Sequence, residues 1–385
     1  MRDITDTNLA TRLVHAGEDD YPLGAVAPPV FETASFRLDN FAARGRVTEL
    51  PSNTTFYSGI SNPTVAALEV KLAAIDSAET ALAFNSGMAA ITTAMLTICR
   101  NGGHVIVSDK LFVVTDHWFR EDLPALGCEV TVVDFLDLSK VERSFQPSTR
   151  AIFFEEFTNP QVIALDLDSI ICLAKLNGAL AIVDNTYGSP ALFRPIEHGA
   201  DLVLHSATKY MSGHGRFRAG ALAGSRDLIA PIAQQRVNMG TIASPHSAAG
   251  IIEGLRTLDL RVGHASSTAL RLAQLADDHE ATAAVQYPGL PGSVGHEHAT
   301  KLTGGRYGGM FSFKLANPGA RAAVYDAFDV IVRATSLGDS VSLVDYWPAQ
   351  DLFRISTGIE DPDDLADDLE RALNAGLLSD LDAAG

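Results

Sequence analysis

Cysteine is scarce in this sequence, which has only Cys99, Cys128 and Cys172 in 385 residues. They are far apart, odd in number and without C-x-x-C spacing, so we expect no disulfide framework and no zinc or other metal site. Such sparse cysteine usage fits a reducing cytoplasm. Cys172 lies in an apolar run, which predicts a place in the core.

Positive charge is also in short supply, with 29 Lys and Arg against 47 Asp and Glu, for a formal net charge of −18. An acidic surface of this kind argues against binding to nucleic acid or to anionic membranes. No apolar run is long enough to cross a bilayer, and the first 15 residues lack the apolar core of a secretory signal. We therefore expect a cytoplasmic protein.

Apolar residues make up 46% of the chain. From residue 80 onward, short apolar runs alternate with helical patterns, and polar residues follow the apolar runs. This arrangement is typical of an α/β protein whose mostly parallel sheet is covered by helices. We predict an N-terminal arm over 1–55, a large domain over 56–245, and a small C-terminal α+β domain with its linking helix over 246–385. A long helical region is predicted near 244–278 and a strand over 330–337.

Two strand ends carry candidate chemistry. Asp184 ends one apolar run, and Lys209 follows another. A plain ion pair between them is one interpretation. However, Ser206 and Thr208 flank the lysine with hydroxyls, and the small-residue turn 86–88 opens a helical run whose N–H groups suit a phosphate. A phosphate site, an amine and a carboxylate are the three features that pyridoxal 5'-phosphate (PLP) requires.

The sequence resembles a known family over nearly its whole length, from Thr11 to Leu365. The motifs that carry the resemblance are YSGISNPT (57–64), NSGMAAI (85–91), FTNP (157–160), VDNTYGSP (183–190), HSATKY (205–210), YPGLP (287–291), GGMFSF (308–313) and SLG (336–338). They are similar to those of the Cys/Met-metabolism PLP enzymes, which include cystathionine γ-synthase, cystathionine γ-lyase, O-acetylhomoserine sulfhydrylase and methionine γ-lyase. The resemblance implies the fold-type I, aspartate-aminotransferase-like fold and PLP as the cofactor.

The resemblance also implies a role for each matching residue. Lys209 would hold PLP as a Schiff base and move protons on the substrate, and Asp184 would pair with the pyridinium nitrogen. Arg354 would clamp the substrate α-carboxylate, and Ser336 would either touch the substrate or position Lys209. The other implied cofactor contacts are Ser86, Gly87, Met88, Ser206 and Thr208 at the phosphate, Phe112 at the ring face and Asn159 at the ring hydroxyl.

Tyr57 is implied to reach from one subunit to the phosphate and substrate of its neighbour. A homo-oligomer with shared active sites follows from this resemblance, a dimer at least and commonly a tetramer of two such dimers.

The sequence departs from the family pattern at several of these positions. Gly59 stands where the family has an arginine, so a cationic phosphate contact is missing. Phe112 stands where the family has a tyrosine, and it keeps a stacking face but has no phenol. After the lysine, Arg216 replaces an acidic residue and Arg218 follows. These two arginines are either solvated loop residues or anion ligands that replace the lost charge or bind an anionic co-substrate.

The resemblance implies γ-replacement or γ-elimination, through a vinylglycine-type intermediate, on a γ-activated L-amino acid. An O-acyl-homoserine or a sulfur- or sulfonium-bearing analogue is expected, and the departures favour a role in specialised metabolism. One alternative is a β-eliminating lyase acting on cystathionine or cysteine conjugates. Another is a non-catalytic PLP-binding protein, suggested by the missing arginine and tyrosine.

Overall fold

The computed structural model describes residues 4, 6–18, 21–42 and 56–383. The chain forms two compact units. The large unit comprises Met1–Glu155, Leu167–Ser212 and Arg216–Leu258, and the small unit comprises Glu156–Asp166, Gly213–Gly215 and Asp259–Gly385. The sequence-based limits of the arm and the two domains stay predictions, and most of the arm beyond residue 42 lies outside the described residues.

The large unit contains a seven-stranded sheet in the order β1-β7-β6-β5-β4-β2-β3. Its strands are β1 (Thr80–Phe84), β2 (His104–Ser108), β3 (Glu129–Val133), β4 (Thr149–Glu155), β5 (Leu180–Asp184), β6 (Leu202–His205) and β7 (Gly220–Gly224). The five neighbouring strands β6, β5, β4, β2 and β3 all run parallel to one another. Strand β7 runs antiparallel to both of its neighbours, β1 and β6. The sheet is therefore mostly parallel, as predicted.

Helices alternate with these strands along the chain. They are α1 (Leu9–His15), α2 (Pro63–Ile75), α3 (Gly87–Ile98), α4 (Val113–His117), a π-helical turn (Trp118–Asp122), α5 (Leu123–Ala125), α6 (Leu138–Arg143), α7 (Leu167–Leu176), α8 (Ser189–Leu192), α9 (Arg226–Met239) and α10 (Pro245–Arg256), with 3-10 turns at Pro22–Gly24 and Pro195–His198. The ends of the helices follow local chemistry. The Asn62 side chain accepts from the N–H of Thr64 and Pro63 takes the first position of α2, where its missing N–H costs nothing.

The small unit has a five-stranded sheet in the order β10-β11-β12-β9-β8. Its strands are β8 (Thr282–Gln286), β9 (Met310–Leu315), β10 (Val332–Arg333), β11 (Leu343–Trp347) and β12 (Leu352–Ser356). Its helices are α11 (Leu258–Asp278), α12 (His296–Thr303), α13 (Arg321–Ala327) and α14 (Pro362–Ala383), with a 3-10 turn at Pro318–Ala320. Antiparallel pairing dominates, and only β10 and β11 run parallel.

Each unit has its own apolar core. In the large unit, the rings of Phe119 and Phe153 lie 4.9 Å apart beneath the sheet helices. In the small unit, Phe313 stacks on Phe353 with ring centroids 5.1 Å apart. These side chains are almost fully buried, and burying one of them contributes roughly 1.5–3 kcal/mol.

Two local predictions were wrong, and a third is refined. Cys172 is exposed, because α7 buries the face that carries Leu167, Ile170, Ile171 and Ala174 and turns residue 172 to solvent. The helical region predicted over 244–278 is two helices, since the chain leaves the helical conformation at Thr257. The strand predicted over 330–337 is reduced to two residues, because Ser336 adopts a positive φ of 124°.

Within the described residues, no helix is both long enough and apolar enough to cross a bilayer. The described part of the chain also holds no cluster of three or more His, Cys, Asp or Glu side chains arranged to hold a metal ion.

Candidate active site

Polar side chains gather where the central strands of the large unit end, at what we call the carboxyl edge of the sheet. Asp184 is the last residue of β5, and residues 206–209 form a turn directly after β6. Because β1 runs parallel to β6, the turn after β1, with Ser86 and Gly87, opens at the same edge. Ligands of parallel α/β sheets bind at this edge.

Asp184 is half-buried, and its Oδ1 accepts a hydrogen bond of 2.9 Å from the N–H of Thr186. Burial raises the pKa of Asp184, while hydrogen bonds from Thr186 and the charge of His205 act in the opposite direction. A cation placed against this carboxylate would favour its ionised form. The site therefore suits a protonated ring nitrogen.

The turn after β1 leads directly into α3. The Ser86 side chain accepts from the N–H of Ala89 at 3.1 Å, and its carbonyl accepts from Ala90 at 3.2 Å. Among the described residues, the N–H groups of Gly87 and Met88 have no partner. Since the first N–H groups of a helix point outward and carry its positive dipole end, these two are suited to phosphate.

Glycine is required at position 87 by a close approach. A Cβ there would lie 2.9 Å from the Cβ of Ser206 and 3.2 Å from its Oγ. A Cβ at Gly220, the first residue of β7, would lie 2.1 Å from the carbonyl oxygen of Ser86. Gly87 lets the turn after β1 approach the turn after β6, which places the N-terminus of α3 beside the Ser206 hydroxyl, and Gly220 lets the same turn approach the start of β7.

Thr208 makes a different contact from the one implied. Its Oγ1 accepts from the N–H of Ala219 at 3.1 Å and lies 3.2 Å from the carbonyl oxygen of the same residue. The hydroxyl thus ties the lysine turn to the segment before β7. Its role as a phosphate ligand stays a prediction.

Lys209 is half-buried in the same turn, and its N–H donates to the carbonyl of Ser206 at 3.0 Å. This bond fixes the backbone of the lysine next to the hydroxyl that faces Gly87. The turn therefore carries an amine and a hydroxyl, and the hydroxyl of Ser206 lies beside the N-terminus of α3.

Phe112 precedes α4 and is 37% exposed. Its N–H donates to Oε1 of Glu155 at 2.6 Å, and Glu155 is the buried last residue of β4. The carboxylate thereby fixes the backbone that carries the ring, close to the carboxyl edge. A ring with an exposed face in this place is suited to stack on a planar ligand.

These features of the large unit fit PLP on the geometry alone. The contact of Gly87 with Ser206 forms a narrow cradle of donors that a Cβ would fill, and Asp184 supplies a carboxylate that a cation would stabilise. Asp184, Lys209, Ser86, Gly87, Met88 and Ser206 all lie at this one edge. The individual roles implied for them stay predictions.

The small unit builds a second polar site around Arg354 in β12. This arginine is 2% exposed, and its guanidinium lies over the ring of Trp347 at 5.0 Å. Its Nη1 donates to Oδ1 of Asn159 at 2.7 Å, and its Nη2 donates to the carbonyl of Ser336 at 2.9 Å. The fork of the arginine is thus held in a fixed orientation, as recognition of a carboxylate requires.

Ser336 is half-buried, and its φ of 124° is rare for a residue with a Cβ. Such a conformation costs roughly 1–3 kcal/mol and persists where the surroundings impose it. The Arg354 hydrogen bond to the Ser336 carbonyl is one such constraint. The structure therefore brings Asn159, Ser336 and Arg354 together, whereas the family resemblance implies that Asn159 contacts the ring hydroxyl of the cofactor.

The remaining predicted residues lie on the surface of the large unit. Tyr57 is 48% exposed, and a Cβ at Gly59 would lie 2.7 Å from Cε1 of its ring. An arginine at position 59 would therefore displace the tyrosine ring. Arg216 is exposed and lies over Phe217 at 5.3 Å, and Arg218 is exposed as well.

Three contributors were missed at the sequence level. Thr186 accepts from the N–H of Ser206 at 2.7 Å and donates to Asp184 through its own N–H, so it connects the two strand ends. Glu155 positions Phe112, and Trp347 underlies Arg354. Only Thr186 had a sequence signal, since it stands two residues after the strand-end aspartate.

Comparison with known proteins agrees with this arrangement. Residues 10–350 match the family described as Cys/Met metabolism PLP-dependent enzyme. The chain is 36% identical to L-methionine gamma-lyase of Pseudomonas putida, with 95% of this chain and 97% of the relative covered. It is 36% identical to cystathionine gamma-synthase of Mycobacterium tuberculosis H37Rv (94% and 96% covered) and 35% identical to cystathionine beta-lyase MetC of Bacillus subtilis (95% and 96%).

The fold is confirmed by a solved structure. The crystal structure of MetB from Corynebacterium glutamicum is similar with a TM-score of 0.90 and 32% identity, over 97% of this chain and 99% of that one. The predicted fold-type I architecture and the predicted family are therefore both confirmed. The chain belongs to the Cys/Met metabolism family of PLP-dependent enzymes, and its cofactor is pyridoxal 5'-phosphate.

Proposed function

We propose that the enzyme catalyses γ-replacement or γ-elimination on a γ-activated L-amino acid, such as an O-acyl-homoserine or a sulfur- or sulfonium-bearing analogue. The observation that carries the proposal is the pair of relatives named for chemistry at the γ carbon. L-methionine gamma-lyase and cystathionine gamma-synthase are both 36% identical to this chain over at least 94% of its length. A role in specialised metabolism belongs to the same proposal and is motivated by Gly59 and Phe112.

In this proposal, bound PLP supplies an electron sink for the carbanion formed at the substrate Cα. Asp184 would keep the charge of the ring nitrogen paired, and the N–H groups of Gly87 and Met88 would hold the phosphate. Arg354 would bind the α-carboxylate through its guanidinium fork and so orient the substrate. Lys209 would be the base that moves protons between Cα and Cβ.

Phe112 restricts the choice of leaving group. A phenylalanine cannot donate a proton, so a thiolate leaving group would depart without help from this position. An acyloxy leaving group departs as a carboxylate, which is stable without a proton at neutral pH. The substitution therefore favours O-acyl or sulfonium substrates over simple thioethers.

A β-eliminating lyase is the second candidate, supported by the 35% identity to cystathionine beta-lyase MetC of Bacillus subtilis. The family and its relatives are enzymes, which decides against the non-catalytic alternative.

Product analysis tests the proposal. The holoenzyme is incubated with O-acetyl-L-homoserine, L-methionine, S-methyl-L-methionine and L-cystathionine, each with and without a thiol, and products are identified by mass spectrometry. We expect 2-oxobutyrate with ammonia, or a new amino acid when the thiol is present. Pyruvate as the main product would establish β-chemistry instead. Turnover of cystathionine, or of O-acetylhomoserine with sulfide, at ordinary rates would contradict a specialised role.

The role of Lys209 is tested without turnover. Borohydride reduction of the holoenzyme followed by peptide mass mapping should place the cofactor mass on the peptide with Lys209. Lys209→Ala should abolish this labelling, whereas Lys110→Ala, which removes an ion-paired lysine elsewhere on the large unit, should leave it unchanged.

We also propose that the enzyme is a homo-oligomer with shared active sites. The assembly is at least a dimer, and we propose a tetramer of two such dimers. Large apolar side chains stand exposed near the N-terminus, with Leu23 fully exposed and Val26 91% exposed, and exposed apolar groups of this kind mark interfaces. Tyr57 is also exposed enough to reach a neighbour.

Mixing experiments test this sharing. Lys209→Ala and Tyr57→Phe chains, each nearly inactive alone, are unfolded, mixed and refolded together. If Tyr57 acts across the interface, hybrid dimers contain one site with both native residues and regain up to half of the wild-type activity per hybrid. No recovery, with oligomers of native mass by light scattering, would place Tyr57 at its own subunit's site.

A further inference from the structure

The large unit has a cleft at the edge of the sheet opposite the carboxyl edge, with a volume of about 560 Å³. Its lining includes Thr149, Leu180 and Leu202, the first residues of β4, β5 and β6. Asp184 lies at the other end of β5, which is ~13 Å away at 3.3 Å per residue. The cleft is therefore separate from the site of PLP, and its size is typical of small-molecule sites, which measure about 300–1,000 Å³.

Two guanidinium groups line this cleft. Arg100 follows the C-terminus of α3, and Arg150 is the second residue of β4. Both are exposed, and neither forms an ion pair with any carboxylate of the described residues, although the chain carries a net charge of −18. The dipole of α3 accounts for one cation at its C-terminus. Arg150 adds a second positive charge to the same cleft.

The backbone at Gly103 passes close to the side chain of Arg150. Gly103 has a φ of 129°, and a Cβ there would lie 2.7 Å from Cγ of Arg150. The arginine side chain thus lies across the turn that follows Arg100. A glycine at position 103 is what allows this.

Helix α9 forms the opposite wall with apolar and amide side chains. Leu228, Pro231 and Ile232 line the cleft from this helix, together with Gln235 and Asn238. Pro231 has no N–H, so the carbonyl of Asp227 receives no helical hydrogen bond from that position. The Asp227 carboxylate also lines the cleft and offsets one arginine charge, which leaves a net charge of +1.

We propose that this cleft binds a small aliphatic carboxylate. Its anionic head would accept hydrogen bonds from Arg100 and Arg150, whose planar guanidinium groups match a carboxylate. Its short apolar chain would lie against Leu180, Leu228 and Ile232, and the amides of α9 would complete the rim. The net charge of +1 suits a monoanion. This site is independent of the reaction proposed for Lys209.

The site has a physical connection to the cofactor. Helix α3 runs from Gly87 at the phosphate cradle to Ile98 in the cleft lining, which is ~18 Å at 1.5 Å per residue. A ligand that orders the C-terminal end of α3 therefore acts on the same helix whose first N–H groups face the phosphate.

Calorimetric titration of the holoenzyme with 4-methylpentanoate tests the proposal, since this probe has no amino group and cannot react with the cofactor. We expect saturable binding that weakens as NaCl is raised. The double variant Arg100→Gln/Arg150→Gln should bind at least tenfold more weakly, and Asn238→Trp, which fills the cleft without changing its charge, should weaken binding similarly. Arg143→Gln, an exposed arginine outside the lining, is the matched control and should bind within twofold of wild type.

Four results would overturn the assignment. Equal affinity of the wild type and the double variant, with both folded by circular dichroism, would place the probe elsewhere. If the Asn238→Trp variant bound the probe with wild-type affinity, the probe would not occupy the cleft. Equal binding of 4-methylpentylamine would exclude recognition of an anion, and equal binding of sulfate at matched ionic strength would exclude a contribution from the apolar wall.

Discussion

Nε2 of His205 lies 3.0 Å from both carboxylate oxygens of Asp76, and Nδ1 of the same ring lies 3.0 Å from the carbonyl oxygen of Asn185. When Asp76 is ionised, both partners are acceptors, which favours the ring with a proton on each nitrogen. The pair is 1% and 0% exposed. His205 ends β6, the strand that pairs with β5, whose last residue is Asp184. The positive charge of His205 acts to lower the pKa of the Asp184 carboxyl.

Asp76→Asn should destabilise the enzyme strongly. Removing one partner of a buried ion pair typically costs about 3–5 kcal/mol, because the other charge stays buried and unpaired. His205 would then lose its proton, and Asp184 would lose a neighbouring positive charge. We expect a lower free energy of unfolding by urea and a several-fold weaker affinity of the apoenzyme for PLP, measured by fluorescence titration.

Asp168→Asn is the matched control for that variant. It breaks the pair of His198 and Asp168, which has a similar distance of 2.8 Å but side chains that are 29% and 41% exposed. Exposed pairs contribute about 1 kcal/mol or less. If Asp76→Asn and Asp168→Asn lowered the free energy of unfolding equally, burial of the Asp76–His205 pair would not increase its contribution to stability.

The same pair predicts a pH dependence of stability. Burial alone would lower the pKa of His205, but the Asp76 carboxylate, the hydrogen bond to it and Asp184 raise it above its ordinary value of 6.5. A raised pKa in the folded state stabilises the protein fully below pH 6.5, and this contribution is lost as the pH rises through the raised pKa. The difference in unfolding free energy between wild type and Asp76→Asn should therefore be largest near pH 6 and shrink toward pH 9. A difference independent of pH would mean that the ring is neutral in the native protein.

Asn159→Ala should affect the substrate more than the cofactor. Asn159 accepts from Arg354, and a hydrogen bond to a charged group contributes about 1.5–3 kcal/mol. We expect kcat/KM for the substrate found by product analysis to fall at least tenfold, mainly through KM. PLP affinity should stay within twofold of wild type. An equal loss of PLP affinity would support the role at the ring hydroxyl that the resemblance implies. Asn317→Ala, which removes a helix-capping amide of the small unit, is the control.

Phe112→Tyr should restore a proton donor where the family has one. The ring is partly exposed, so a hydroxyl fits without a packing change. We expect kcat for thioether substrates to rise several-fold, because a thiolate leaving group gains from protonation, while kcat for O-acyl substrates stays nearly constant. Assaying a thioether and an O-acyl substrate with both the wild type and Phe112→Tyr provides the internal control. An equal change for both would show that the phenol does not act on the leaving group.

The positions of the central strands and of the residues that follow them were predictable from the sequence. An apolar run with a polar residue after it determines where a buried strand ends, and this placed Asp184 and Lys209 at one edge of the sheet. The short pattern of Ser86, Gly87 and Met88 was likewise sufficient to predict a helix N-terminus suited to phosphate. The family followed from such local motifs, because they occur in the same order along the chain.

Only the tertiary structure decided which distant side chains meet. Asp76 and His205 are 129 residues apart, Asn159 and Arg354 are 195 apart, and Glu155 reaches Phe112 across 43. No local pattern encodes these contacts, because they depend on how whole elements pack and on where glycines allow a close approach. The sequence by itself therefore determined the fold class and the cofactor, and it predicts Lys209 as the cofactor lysine. Packing determined that Asp76 pairs with His205 next to Asp184 and that Asn159 orients Arg354. It also determined that Arg100 and Arg150 share a cleft at the far edge of the sheet.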